Sequence, residues 1–122
     1  MSHYRAVFRC AAGCEGEHSI WRPIYRCPTC GGLLQVVHDM DALRSRTAPG
    51  WMRVFEDRYK RTAWPYGSGV WGKKEWVCPE RRNENVVSRD EGGTNLFWAD
   101  RLGREMGLAD MWVKKCGHSH TG

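Results

Sequence analysis

The 122-residue chain has no apolar run approaching the length of a membrane span, and it does not begin with a basic segment followed by an apolar one. Those two absences argue against a membrane or secreted protein and set the expectation of a cytoplasmic one. Blocks of like charge are also lacking: Lys and Arg alternate with Asp and Glu, so the formal charge of +5 does not by itself mark a nucleic-acid footprint. Four thiolates on one Zn2+ would lower that charge by two. Phenylalanine is scarce at three residues, whereas tryptophan is abundant at seven. Large aromatics stabilise a core only where neighbouring chain covers them. Much of the sequence between these is Arg, Gly and Pro, so some are expected on the surface. The length suits one domain or two small modules.

In a reducing compartment six cysteines are metal ligands or free thiols before they are disulfides. Four fall in two close pairs, Cys10-x3-Cys14 and Cys27-x2-Cys30, separated by twelve residues. Strands are expected over Tyr4–Phe8, over Ile20, Trp21 and Pro23–Tyr25, and over Leu33–Val37. Two turns carried by strands would bring together four soft donors, the set that tetrahedral Zn2+ takes in a closed structural site. Pro28 fixes the backbone of Cys27-Pro-Thr-Cys-Gly-Gly32, and Gly31 and Gly32 allow the left-handed conformation that turns amides toward sulfur. A redox dithiol would instead open a helix of a βαβ unit, but here two glycines and LLQVV follow. The metal ligands are therefore Cys10, Cys14, Cys27 and Cys30, in a structural role with no open position for substrate. His18 and His38 are read as solvated turn residues, and Cys78 and Cys116 as free thiols whose mutual pairing stays open.

After His38, Asp39 or Asp41 can cap a short helix through Leu43 and Arg46, ended by Thr-Ala-Pro-Gly. From Trp51 to Lys60 the residues Trp51, Val54, Phe55 and Tyr59 share a helical face, with Glu56–Lys60 and Asp57–Arg61 at ion-pair spacing. Thr62–Pro79 reads as irregular. It contains Gly67-Ser-Gly-Val-Trp-Gly72, which satisfies G-x-G-x-x-G; no strand enters it and no helix pattern follows, so it is not read as a nucleotide loop.

Asn85–Ser88 is expected to be a short strand and Arg89–Gly93 a turn. Thr94 would cap a helix with Leu96, Ala99, Leu102 and Met106 inward, Asp100 and Arg104 paired outside, and Gly107 as its stop. Asp110–Lys115 follows as a strand, whose uncovered edge would let the chain pair into a homo-oligomer. His118 and His120 lie on a polar loop, but no Ser or Cys nucleophile stands with a third orienting group, so no catalytic residue is assigned.

The run VSRDEGGTNLFWADRLGREMGLADMWVKKCGHSHTG from Val87 resembles the amino-terminal part of threonine synthase, a pyridoxal-phosphate lyase of the tryptophan-synthase-β fold group. WPYGSGVWGKKEWVCPE and the CPTCGG segment are similar to the front of one branch of that family, so the resemblance covers nearly the whole chain. Three motifs carry it: Glu91-Gly-Gly-Thr94, Val113-Lys114, and Thr121-Gly122. In such enzymes the last pair leads into Ser-Phe-Lys-Asp, whose lysine holds the cofactor; Thr121 and Gly122 are expected beside it, and that lysine is absent from these 122 residues. Asn95 stands where many relatives have proline, and His118-Ser-His120 where many have Asn-Pro.

The resemblance implies an α/β chain: a small zinc-ribbon-like β module (1–38), a helical and Gly/aromatic-rich connector (39–84), and the first, incomplete elements of a fold-type II pyridoxal-phosphate enzyme domain (85–122). It implies threonine biosynthesis in the complete enzyme, from O-phosphohomoserine and water to threonine and phosphate. Zinc is then structural, and pyridoxal phosphate and the small-molecule substrate belong to the complete enzyme. The fragment itself is expected to be inactive. The alternative is a freestanding zinc-ribbon module that binds nucleic acid or a protein partner.

Overall fold

The computed structural model describes residues 4–119. Strands β1 (Ala6–Cys10), β2 (His18–Ser19) and β3 (Leu34–His38) form an antiparallel sheet in the order β2-β1-β3. β1 and β3 pair over five positions, from Ala6 opposite His38 to Cys10 opposite Leu34. That register carries Cys10 to the end of the sheet where the chain leaving the second cysteine turn enters β3. The expected strand through Ile20, Trp21 and Tyr25 does not form. Residues 20–25 are turns and irregular chain that follow the two-residue β2, where Arg22 N turns back to Ser19 O and Pro23 has no N–H for a ladder.

Helix α1 (Met40–Arg44) starts at Asp39, whose carboxylate accepts from Ala42 N at 2.9 Å. Thr47-Ala-Pro-Gly does not stop a helix but starts one. Thr47 is the N-cap of α2 (Ala48–Arg58), accepting from Gly50 N at 3.3 Å, with Pro49 in the first turn where its missing N–H costs nothing. α2 buries Trp51 against Tyr4, Phe55 and Trp76, with ring centroids 5.5–5.7 Å from that indole. The Trp51 Nε1–H donates to Leu43 O at 3.0 Å, so the buried indole keeps a partner and ties α2 to α1. Tyr59 lies beyond the helix, 41% exposed, rather than completing the buried stripe.

The segment expected to be irregular holds a short helical stretch, a 3-10 turn at Trp71–Lys73 running into α3 (Lys74–Val77). Arg58 of α2 pairs with Glu75 of α3 through two hydrogen bonds of 2.7 and 2.9 Å.

Asn85–Ser88 is not a strand. A 3-10 turn at Asn83–Asn85 leads into extended chain that buries Val86 but pairs with nothing in a ladder. The helix expected from Thr94 is also corrected: β4 (Leu96–Trp98) comes first, and α4 (Asp100–Glu105) follows. β4 pairs antiparallel with β5 (Trp112–Lys114), Leu96 opposite Lys114 and Trp98 opposite Trp112. Leu96, Leu102 and Met106 are exposed, and of the four residues expected inward only Ala99 is buried. Asp100 and Arg104 do pair, and Gly107 with φ +71 does end α4, its N–H on Arg104 O and the Leu108 N–H on Gly103 O.

Candidate metal centre

Two turns of similar build present the four cysteines. In the first, Gly13 N donates to Cys10 O at 3.2 Å and Gly13 takes φ +88; in the second, Gly31 N donates to Cys27 O at 2.8 Å and Gly31 takes φ +71. Ala11 N–Leu33 O and Cys27 N–Gly32 O, both 2.9 Å, bind the turns to the sheet end. The sulfurs of Cys10, Cys14, Cys27 and Cys30 all lie within 4.8 Å of one another, and Cys10 and Cys30 are 3.5 Å apart. Cys10 and Cys27 are buried, Cys14 is half-buried and Cys30 is exposed. Four thiols with this spacing can hold a metal ion.

Electrostatics at the sulfurs fit a cation. The amides of Cys30 and Thr29 point at Cys27 and hold its thiol down at about 6 despite its burial. Cys10 is lowered as well, first by the Cys14 amide. Cys14 is pushed up to about 12 by its contacts with Cys30 and Cys10, since a further thiolate beside them would be like charge on like charge. A divalent ion removes that conflict, because it stabilises all four thiolates at once.

The histidines stand apart. His18 lies in β2 and His38 closes β3, so neither is a turn residue, and His38 Nδ1 is buried with no hydrogen-bond partner. Neither joins the sulfur cluster. Cys78 is half-buried, its thiol raised chiefly by burial, and Cys116 is exposed; both are free of disulfide bonds. His3, His120, Thr121 and Gly122 lie outside the described residues, as does the His118 side chain.

The Glu91-Gly-Gly-Thr94 motif is tied to the glycine-rich connector. The Glu91 carboxylate accepts from Ser68 Oγ at 3.3 Å, from Ser88 Oγ at 3.2 Å and from Arg89 N at 2.7 Å. Burial raises the carboxyl's pKa, but these donors outweigh it and hold Glu91 below its ordinary value. Ser68 Oγ in turn accepts from Trp71 N at 2.9 Å. A Cβ on Gly69 would stand 2.2 Å from Gly93 N, so the middle glycine of G-x-G-x-x-G is required by the Gly92–Gly93 backbone pressed against it. Ser68 is buried between two glycines, a role that nothing local in the sequence marks.

Pyridoxal phosphate requires a lysine amine free to meet its carbonyl carbon. Here Lys73 Nζ donates to Gly69 O at 2.9 Å, Lys74 Nζ to Pro79 O at 3.1 Å, and Lys114 Nζ to Thr94 O. These three lysines are engaged with backbone and Lys60 Nζ lies over the Tyr59 ring, so none of the four is free to hold that cofactor.

No protein-family model matches the chain. Over 107 residues, 87% of its length, the chain is 48% identical to the Arabidopsis thaliana protein named threonine synthase 2, chloroplastic. The chain is homologous to part of threonine synthase. Threonine synthases of Methanocaldococcus jannaschii and Methanosarcina acetivorans are 29% and 30% identical to it over 109 residues, 89% of the chain. The match spans 20% of the plant relative and 24% and 23% of the archaeal ones, so the chain corresponds to about a fifth to a quarter of a threonine synthase. Among the described residues no helix is long and apolar enough to cross a membrane.

Proposed function

We propose that this chain is the amino-terminal portion of a threonine synthase, with Cys10, Cys14, Cys27 and Cys30 holding a structural zinc ion. The 48% identity over 107 residues carries the first half of this reading. The complete enzyme converts O-phosphohomoserine and water to threonine and phosphate, and pyridoxal phosphate, when bound there, supplies the electron sink for that chemistry. The 122 residues hold no Ser-Phe-Lys-Asp run, so the chain by itself is expected to be inactive.

The surface supports a piece of a larger body. Leu96, Phe97, Trp98, Met106 and Trp112 are each 46% to 59% exposed on the β4–β5 pair and α4. A two-stranded sheet is marginal in water unless something packs on it. Exposed aromatic area this concentrated fits a surface that further polypeptide covers. The reading includes a reducing compartment, cytoplasmic by expectation.

The test is to express the complete open reading frame and the 122-residue chain in parallel with pyridoxal phosphate and to measure phosphate release from O-phosphohomoserine. The complete protein should turn over and the short chain should not. An inactive complete protein, or an active short chain, contradicts the reading.

A further inference from the structure

The four sulfurs are unequal in one respect that a structural metal site does not require: Cys30 is open to solvent while Cys10 and Cys27 are buried. Cys30 Sγ also lies 3.5 Å from Cys10 Sγ, and Gly32 N donates to Cys30 Sγ at 3.4 Å. Oxidation of cysteine follows thiolate character and access, and a sensor thiol needs a second thiol within reach to resolve it. The quartet supplies both. We propose that it is a peroxide-responsive metal clasp, in which oxidation joins Cys30 to Cys10 and releases the zinc ion. This inference rests on the zinc reading above.

The Cys30 thiolate attacks one oxygen of hydrogen peroxide; the S–O bond forms, the O–O bond breaks, and hydroxide leaves and is protonated to water. Cys10 thiolate then attacks the Cys30 sulfur; the S–S bond forms, the S–O bond breaks, and a second hydroxide leaves as water. Two electrons pass from sulfur to peroxide, and the zinc ion keeps its oxidation state. Closing the bond brings the sulfurs from 3.5 Å to about 2 Å, a small motion for two side chains already in contact. Cys14 and Cys27 are left as two ligands, too few for a closed tetrahedral site. The new bond would fasten the end of β1 directly to the second cysteine turn, so this end of the sheet stays joined when the ion departs, and reduction restores the ligands.

The alternatives within the quartet are Cys10–Cys14 and Cys27–Cys30, each local to one turn. The cross-pair is favoured because Cys30, the exposed residue of the four, and the sulfur 3.5 Å from its own sit on different turns.

The experiment uses the full chain carrying Cys78→Ser and Cys116→Ser, so that only the quartet can react. Zinc is loaded, its stoichiometry is measured, and hydrogen peroxide is added with a colorimetric zinc chelator present. The expected result is release of one zinc ion per chain with one disulfide, which tandem mass spectrometry assigns to Cys10–Cys30, and rebinding of zinc after dithiothreitol. Zinc release with a disulfide inside either turn, release with sulfinic acid and no disulfide, or retention of zinc overturns the proposal and leaves the metal site standing. A chain that takes up no zinc before peroxide is added overturns the metal reading, and this one with it.

Discussion

Arg58 and Glu75 form the only ion pair among the described residues in which both side chains are mostly covered, meeting through two hydrogen bonds of 2.7 and 2.9 Å. The same guanidinium lies 4.1 Å from the Tyr66 ring centroid and donates to Gly72 O at 3.0 Å. One side chain of α2 therefore fastens three parts of the connector, and the pairs expected from helical spacing, Glu56–Lys60 and Asp57–Arg61, are not the ones that do so.

Replacing Glu75 by Gln should cost about 1–3 kcal/mol, because it leaves a half-buried guanidinium without its carboxylate. The remaining contacts to Tyr66 and Gly72 place the loss toward the lower end. Urea unfolding at neutral pH measures it, and a Glu75→Gln chain as stable as the parent would show that the pair contributes nothing net.

Acid should remove the same stabilisation. Burial pushes the Glu75 carboxyl up, but the Arg58 hydrogen bonds and a backbone amide outweigh it and leave the folded value lowered. A lowered folded value means that the contribution is complete above the unfolded carboxyl value of about 4.3 and disappears as pH falls through the lower folded one. Glu91 has the same sign. Unfolding free energy measured from pH 6 down to pH 2 should fall across that window, and the fall should be smaller in Glu75→Gln.

Gly69→Ala should be far more damaging than Gly107→Ala. At Gly69 a methyl meets backbone at 2.2 Å and no side chain can yield, whereas Gly107 has φ +71 but open space around its Cβ position. About 1–2 kcal/mol is expected at Gly107 from the left-handed backbone alone. Several times that, or failure to fold, is expected at Gly69. Thermal melts of the two variants compare them directly.

Glu91→Gln should loosen the turn it ties. Loss of the charge leaves Ser68, Ser88 and Arg89 N with a weaker acceptor, at a cost of about 1–2 kcal/mol. Hydrogen exchange at the Arg89 amide, which donates to Glu91 at 2.7 Å, should speed up while exchange in β1 and β3 is unchanged.

The cysteine quartet was legible because its information is local: two short spacings and the glycines after them define the turns whatever surrounds them. α2 was legible in its interior and misread at its start, where Thr47-Ala-Pro-Gly carries both stop and start signals and the Thr47 hydroxyl decides for a start. The stretch from Thr94 was misread for a different reason. Leu96, Ala99, Leu102 and Met106 have helical spacing, yet Leu96–Trp98 is held by pairing with Trp112–Lys114, a contact between distant residues that periodicity does not contain. The Glu91–Ser68 link was invisible on the same ground, since its partners are 23 positions apart in the sequence.

A metal ion held by the four cysteines would support the β1–β3 sheet end. Metal analysis of the purified chain by inductively coupled plasma mass spectrometry, paired with hydrogen exchange before and after a strong chelator, tests it most directly. One zinc ion per chain is expected and, on chelation, loss of protection at the turn amides of Ala11, Cys27 and Gly31 while α2 keeps its own. A chain that carries no stoichiometric zinc, and whose turn amides are equally protected with and without chelator, would contradict it.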